Sequence, residues 1–102
     1  MSSTQTETEN TNYKLPTVAT LQHCCKLSIV EDKPIMLDYW TDSCDKNVLI
    51  GVRENGEKLL VRNAEEYTSP ISKIYKVGEE YIVTTENSIY VVSVHIPTKR
   101  IS

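Results

Sequence analysis

The sequence predicts an α+β domain in which one N-terminal helix precedes a mainly antiparallel meander of about six β-strands, with a small barrel as a closed variant. Apolar residues at helical spacing occur before Pro34, and the segment after it consists of short apolar runs separated by polar turns. An Asn-Gly dipeptide joins two of these runs. A chain of 102 residues is long enough for one domain.

The first residues of the chain differ in composition from the rest. Residues 1–13, MSSTQTETENTNY, contain no aliphatic side chain after Met1 and show no apolar period. Such a segment offers too little apolar surface to offset the entropy lost on ordering. We therefore expect a flexible polar tail over 1–13 and a single α+β domain over 14–102.

A helix is predicted over residues 17–30. Apolar side chains spaced to lie on one helical face occur there, namely Val18, Leu21, Cys25 and Ile29. Pro16 and Thr17 are typical of a helix start. Pro34 favours an end shortly before it, because the residue preceding a proline avoids the helical conformation.

Six strands are predicted from the apolar runs after Pro34. They are IMLDYW, VLIGVR, KLLVR, ISKIYKV, EYIVTT and SIYVVSVHI. Asn55-Gly56 between the second and third runs predicts a hairpin, because both residues tolerate positive φ. Further turns are expected at Gly78 and at Glu86-Asn87, whereas TDSCDKN and RNAEEYTSP are expected to be loops. In the last run, Tyr90 and Val92 fall on one face by alternation.

Charge and targeting signals restrict the partners and the compartment. The net charge of −3 and the lack of a Lys/Arg-rich stripe argue against nucleic-acid binding. The N-terminus has no basic and apolar leader, and no apolar run approaches the ~18–20 residues that span a bilayer. The three cysteines, an odd and sparse set, suit a reducing compartment. We expect a cytoplasmic, non-secreted protein with no membrane partner.

No catalytic residues, cofactors or metal are predicted. Adjacent Cys24 and Cys25 point about 100° apart on a helix, which does not suit one tetrahedral ion. The three glycines form neither a dinucleotide nor a phosphate-binding loop. Cys44 and His95 have no sequence context that would activate a thiol. The sequence therefore predicts a protein that is not an enzyme.

Two short polar segments between predicted strands, which we call corners, remain as candidate ligand sites. Thr68 and Ser69 precede Pro70, and Thr85, Asn87 and Ser88 fill the turn before the strand that contains Tyr90. Such side chains favour turns because they bond to nearby backbone. Hydroxyls, an amide and an aromatic ring also suit a nucleotide whose phosphate meets an arginine. Both interpretations stay open.

These corners carry a resemblance to viral proteins. YTSPISKI, a hairpin and TTENSIYVV resemble a pattern in small β-rich accessory proteins of phages and large DNA viruses, and EDKPIMLDYW is similar to small proteins of large DNA viruses. Over the last hairpins the chain resembles the anti-Thoeris sponge proteins, which sequester cyclic-nucleotide signals without cleaving them. The resemblance implies Arg62, Asn87, Ser88 and Tyr90 as positions to inspect.

The expected function follows from these exclusions and the resemblance. We expect a non-enzymatic viral accessory protein, in the host cytoplasm, that sequesters a small phosphate-bearing signal of the cyclic-nucleotide type. It is expected to form a homo-oligomer, with the ligand in a groove between subunits. The alternative is a structural or protein–protein interaction module, for a virion or a host factor, in which the two corners only turn the chain.

Overall fold

A computed structural model describes residues 14–101, so the expected tail over 1–13 lies outside the described residues. The elements are α1 (Val18–Glu31), β1 (Ile35–Met36), α2 (Trp40–Cys44), β2 (Leu49–Val52), β3 (Lys58–Asn63), β4 (Glu66–Tyr67), β5 (Ile71–Val77), β6 (Glu80–Thr85), β7 (Ile89–Ser93) and β8 (Thr98–Arg100). The expected α+β class is confirmed: one main helix precedes a mainly antiparallel β-rich region.

The strands form two four-stranded sheets, whereas a single meander or a barrel was expected. Sheet A has the order β1-β7-β6-β5, and sheet B has the order β4-β3-β2-β8. β1 lies parallel to β7, and β8 lies parallel to β2. These parallel partners come from distant parts of the chain, so local sequence patterns do not reveal them. β4 and β8 are also too short to give an alternating pattern.

The region expected as one strand and a loop is organised differently. Of IMLDYW, only Ile35–Met36 is a strand, and the short helix α2 begins at Trp40. The Ser43 hydroxyl donates to the Trp40 carbonyl at 2.6 Å and accepts the Ser93 N–H at 2.9 Å. Ser43 therefore fixes α2 against the end of β7.

The predicted hairpin at Asn55-Gly56 is confirmed. β2 and β3 pair antiparallel around it, and Arg53 N–H donates to the Glu57 carbonyl at 2.8 Å. Within the loop of residues 54–56, only Gly56 has a positive φ, of 91°. The Gly56 N–H donates to the Arg53 carbonyl at 2.9 Å. This is the arrangement of a three-residue hairpin loop, in which a turn is followed by one left-handed residue.

Helix α1 has the ends that its sequence predicts. Thr17 is the N-cap, and its side chain accepts the Thr20 N–H. The helix ends at Asp32, which is left-handed at φ 55° and donates its N–H to the Ser28 carbonyl. The buried residues of α1 are Thr20 and Cys24. The apolar stripe that the sequence shows lies on another face of the helix.

Sheet A is the middle of three layers. One buried cluster lies between the two sheets and comprises Tyr39, Val48, Ile50, Leu60, Val83, Val92 and Ile96. A second cluster lies between sheet A and the helices and comprises Cys24, Trp40, Ile82, Ile89 and Val91. Successive residues of a strand point to opposite faces, so Ile82 packs towards α1 and Val83 towards sheet B.

A buried carboxylate holds the start of α1 on sheet A. Glu80, the first residue of β6, is only 4% exposed. It accepts the backbone N–H of Thr17 at 3.1 Å and the Thr17 hydroxyl at 3.0 Å, and it also accepts the Thr20 hydroxyl. A carboxylate is favoured at this position because the N-terminus of a helix is its positive end.

The two ends of α1 are held by further contacts. The Trp40 indole N–H donates to the Lys14 carbonyl at 2.9 Å, just before the helix. After the helix, the Lys33 ammonium donates to the Thr85 carbonyl at 2.7 Å and lies 3.1 Å from Glu31. Contacts at both ends therefore fix which face of α1 meets the sheet.

We predict that Glu80→Ala lowers the free energy of unfolding by about 3 kcal/mol, because the buried hydroxyl of Thr20 and the donors of Thr17 lose a charged acceptor. Urea unfolding followed by circular dichroism measures the loss. Glu79→Ala is the matched control, since Glu79 is 79% exposed and its contact with His95 lies on the surface. Equal losses of unfolding free energy in the two variants would show that the contacts of Glu80 with α1 add no stability beyond those of an exposed glutamate.

Candidate functional site

The two polar corners meet in the folded chain. We define the corner cluster as Thr68, Ser69, Thr85, Asn87 and Ser88. The Asn87 amide donates to the Ser69 hydroxyl at 3.0 Å, which links the two corners directly. The pairing of β5 with β6, with Ile71 opposite Thr85, brings them to the same end of sheet A.

Most hydroxyls of the corner cluster bond to local backbone. The Thr85 hydroxyl accepts the N–H groups of Asn87 and Ser88, each at 3.1 Å. The Thr68 hydroxyl accepts the Leu60 N–H at 3.1 Å and donates to the Ser69 carbonyl at 2.8 Å. Thr68, Thr85 and Ser88 are buried, so Ser69 and Asn87 form the accessible part of the cluster.

A second group of side chains surrounds Arg62. We define the Arg62 cluster as Arg62, Tyr39, Asp42, Glu66 and Tyr90. Asp42 Oδ2 lies 3.1 Å from Arg62 Nε and 3.0 Å from one terminal nitrogen, and Glu66 lies 3.9 Å from the other. The bond to Asp42 raises the pKa of Arg62. The guanidinium is therefore already balanced by two carboxylates.

Two tyrosine rings complete the Arg62 cluster. The guanidinium carbon of Arg62 lies 5.1 Å from the centroid of the Tyr39 ring, within the range of a cation–π contact. The rings of Tyr39 and Tyr90 meet edge to face at 5.3 Å. Burial raises the pKa of Tyr39 to about 12. Burial also raises the pKa of Tyr90, and a hydrogen bond with Ser88 opposes that shift.

The seven residues that the sequence nominated fall into these two clusters. Ser88 beside Tyr90 connects the corner cluster to the Arg62 cluster. The sequence did not indicate Tyr39, Asp42 or Glu66. Asp42 and Arg62 are 20 residues apart in the sequence, and no local sequence pattern predicts their contact. Of the other basic residues on the β2–β3 hairpin, Arg53 pairs with Glu57 at 3.5 Å.

Most of the apolar stripe of α1 is exposed to solvent, and only Leu21 in it is half-buried. We define the α1 outer face as Val18, Leu21, Cys25 and Ile29. Val18 is 69% exposed and Ile29 is 81% exposed. A groove of about 430 Å³ runs along this face, and Leu21 and Cys25 contribute to its lining. Contiguous exposed apolar side chains of this kind are typical of interaction surfaces.

The residues considered for catalysis are two thiols with raised pKa values and one exposed histidine. Burial raises the pKa of Cys24 to about 11 and also raises the pKa of Cys44, so both thiols stay protonated near neutral pH. His95 is exposed and lies 2.9 Å from Glu79. Within residues 14–101, no group of three or more His, Cys, Asp or Glu side chains is placed to hold a metal ion.

Comparison with known proteins gives no relative: no protein family, no curated protein and no solved structure matches the chain. None of the helices in the described part of the chain is both long and apolar enough to cross a membrane. The function must therefore be inferred from the geometry of the clusters and of the α1 outer face.

We predict that Tyr39→Phe reduces the loss of stability on going from pH 10 to pH 12. Burial favours the neutral phenol, so Tyr39 stabilises the folded state fully below its unfolded pKa of about 10. That contribution is lost as the pH rises towards the folded pKa of about 12. Urea unfolding at a series of alkaline pH values measures the effect.

Tyr67→Phe is the matched control for this measurement, because it removes a tyrosine that is 53% exposed. It should leave the alkaline loss of stability unchanged. If Tyr39→Phe also leaves it unchanged, ionisation of Tyr39 is not coupled to folding.

Proposed function

We propose that the protein is a non-enzymatic interaction module whose docking surface is the α1 outer face. The observation that carries this proposal is the exposure of Val18 and Ile29, at 69% and 81%, on a helix that is anchored at both ends. Each Å² of apolar surface left in water forgoes about 25 cal/mol of stabilisation. A partner that covers this face recovers that free energy.

The anchors of α1 make the exposure a fixed property of the fold. Turning the stripe inward would withdraw Thr20 from Glu80 and Cys24 from the buried cluster. It would also leave the Glu80 carboxylate buried without its donors, which is costly. The apolar stripe therefore cannot be buried within the domain by a simple rotation of the helix.

The raised pKa values of two thiols support a function that involves no covalent catalysis by these cysteines. A cysteine acts as a nucleophile in its thiolate form. Burial disfavours that form at Cys24 and at Cys44. Near neutral pH these two thiols are therefore poor nucleophiles, which supports a function through binding.

Sequestration of a small phosphate-bearing molecule, of the cyclic-nucleotide type, is a second candidate function. It is favoured by the Asn87–Ser69 bond, which places an accessible amide and hydroxyl together, and by the path from Ser88 through Tyr90 towards Arg62. A phosphate would have to compete with Asp42 and Glu66 for the guanidinium, so this function is less well supported than docking on α1.

Docking on the α1 outer face predicts site-specific cross-linking at Cys25. The exposed thiol is labelled with a photo-reactive maleimide in a Cys44→Ser background, and the protein is illuminated in the cells that make it. Adducts identified by mass spectrometry should form and should disappear in a Val18→Asp/Ile29→Asp variant. Both positions are exposed, so these changes should leave the unfolding midpoint nearly unchanged.

The control carries the same label on Tyr67→Cys in a Cys25→Ser/Cys44→Ser background, on the opposite layer of the fold. Adducts that are as abundant at position 67 as at Cys25, or that survive in the double aspartate variant, would refute the proposed docking surface. Adducts found at Cys25 alone would support it, whether the captured chain is a second copy or another protein.

The second candidate function predicts that Asn87→Ala releases a retained small molecule. Native mass spectrometry of the purified protein should show bound mass in the wild type and less in the variant. The change should also lower the gain in melting temperature that the recovered ligand gives. If Asn87→Ala lowers only the melting temperature of the free protein, Asn87 has a turn role and the ligand site is refuted.

A further inference from the structure

We propose that a groove on the outer face of sheet B, the face turned away from sheet A, binds a small amphipathic carboxylate. Such a ligand has an apolar body and one anionic end. The lining of this sheet B groove includes Arg53, Leu59, Val61, Ala64, Tyr67 and Ile101. The groove is separate from the docking surface on α1, because α1 packs on the far side of sheet A.

Strand alternation sets which side chains of sheet B face outward. Leu60 of β3 belongs to the cluster between the two sheets, so its neighbours Leu59 and Val61 point to the other face. Gly51 of β2 lies opposite Leu59. Tyr67 of β4 lies opposite Val61, and residues that lie opposite each other share a face. The outer face therefore carries apolar side chains from adjacent strands.

These side chains enclose a groove of about 360 Å³. Its floor is closed, because Leu59 is only 2% exposed. Its walls are open to solvent, since Tyr67 is 53% exposed and Ile101 is 40% exposed. Small-molecule sites have volumes of about 300–1,000 Å³. The groove therefore has the size and the concave shape of a site for a small ligand.

The absence of a side chain at Gly51 allows Ile101 to form one wall of the groove. A Cβ at Gly51 would lie 2.7 Å from Ile101 Cδ1, well inside the ~3.5–4.0 Å at which carbon atoms make their best contact. The Ile101 N–H donates to the Val52 carbonyl at 2.9 Å, so backbone pairing holds this wall in place. The fold itself therefore forms the groove, with no ligand needed to open it.

Cations on the outer face give the groove a preference for an anion. Arg53 lines the groove at the hairpin end of β2, and Lys99 lies opposite Gly51 on β8. Glu57 lies 3.5 Å from one terminal nitrogen of Arg53, but both side chains are exposed, so this contact is weak. Among the residues that the structure describes, no aspartate or glutamate lines the groove. A carboxylate can therefore approach Arg53 without breaking a buried ion pair.

These two features together select an amphipathic carboxylate. An apolar body covers the exposed parts of Tyr67 and Ile101, which removes apolar surface from water. The guanidinium of Arg53 presents a fork of donors that matches a carboxylate. A neutral hydrocarbon would leave Arg53 without a partner. A polyanion such as nucleic acid is disfavoured by the net charge of −3.

Titration of the full, isotope-labelled chain with octanoate tests the site. Octanoate is the probe because it combines a short apolar chain with one carboxylate. In nuclear magnetic resonance spectra, the backbone amide signals of Val61, Ala64 and Ile101 should shift in a saturable manner, while those of α1 should not. The absence of a saturable shift, or shifts centred on α1, would overturn the proposal.

Changes to the walls of the groove test where octanoate binds. Ala64→Trp should fill part of the groove, and Tyr67→Asp should remove one wall and repel the carboxylate. Both positions are exposed, so both variants should fold, which urea unfolding checks. Each variant should raise the dissociation constant about tenfold. Val18→Asp/Ile29→Asp should bind octanoate as the wild type does. An unchanged constant in both groove variants, or a loss in the double aspartate variant, would contradict the assigned site.

Removal of the cation tests the class of ligand. Arg53→Gln should weaken octanoate binding about fivefold at low salt, because an exposed charge contact contributes modestly. It should leave the binding of octanol, the neutral analogue, unchanged. Lys58→Gln is the matched control, since Lys58 is an exposed cation on the same hairpin and alternates with Leu59 to the inner face. Equal losses in the two variants, or equal affinity of the wild type for octanoate and octanol, would refute an anionic ligand.

The outcomes separate this proposal from the docking function of α1. Specific adducts at Cys25 in a protein that does not bind octanoate would leave the docking function in place and refute the sheet B groove as a ligand site. Octanoate binding in the groove without specific adducts at Cys25 would do the reverse.

Discussion

The contact between Glu80 and the first turn of α1 determines how the layers of this protein fit together. Thr17 and Glu80 are 63 residues apart in the chain, yet the carboxylate accepts both the backbone N–H and the hydroxyl of Thr17. A carboxylate that is 4% exposed is tolerable only because donors surround it. Satisfying Glu80 therefore fixes the position and the rotation of the helix on sheet A.

Because of the way α1 is oriented on sheet A, the side chains that stabilise the domain and those that are available to a partner lie on different faces of the helix. Inward, the helix presents the small side chains of Thr20 and Cys24, while the two sheets supply most of the buried core. Outward, it presents Val18 and Ile29. Because the core does not depend on these outward residues, the surface that they form is free to serve recognition without compromising the fold.

The polar corners show how turn chemistry and ligand chemistry use the same residue types. Thr85 and Thr68 bond to backbone N–H groups, and Arg62 is balanced by Asp42 and Glu66. The Arg62 cluster involves sheet B, whereas α1 packs on the other side of sheet A. A ligand in the Arg62 cluster and a partner on α1 would therefore occupy separate layers and would not compete.

The ends of α1, the Asn55-Gly56 hairpin and most of the strands could be predicted from local sequence, because each depends on neighbours in the chain. The parallel pairs β1–β7 and β2–β8, the helix α2 and the Arg62–Asp42 contact depended on residues far apart. The helical period of the sequence also placed Val18 and Ile29 on one face of α1, but it did not show whether that face meets the core or solvent. The contact of α1 with Glu80 turns this face towards solvent, because a helical period defines a face and the packing partner sets its direction.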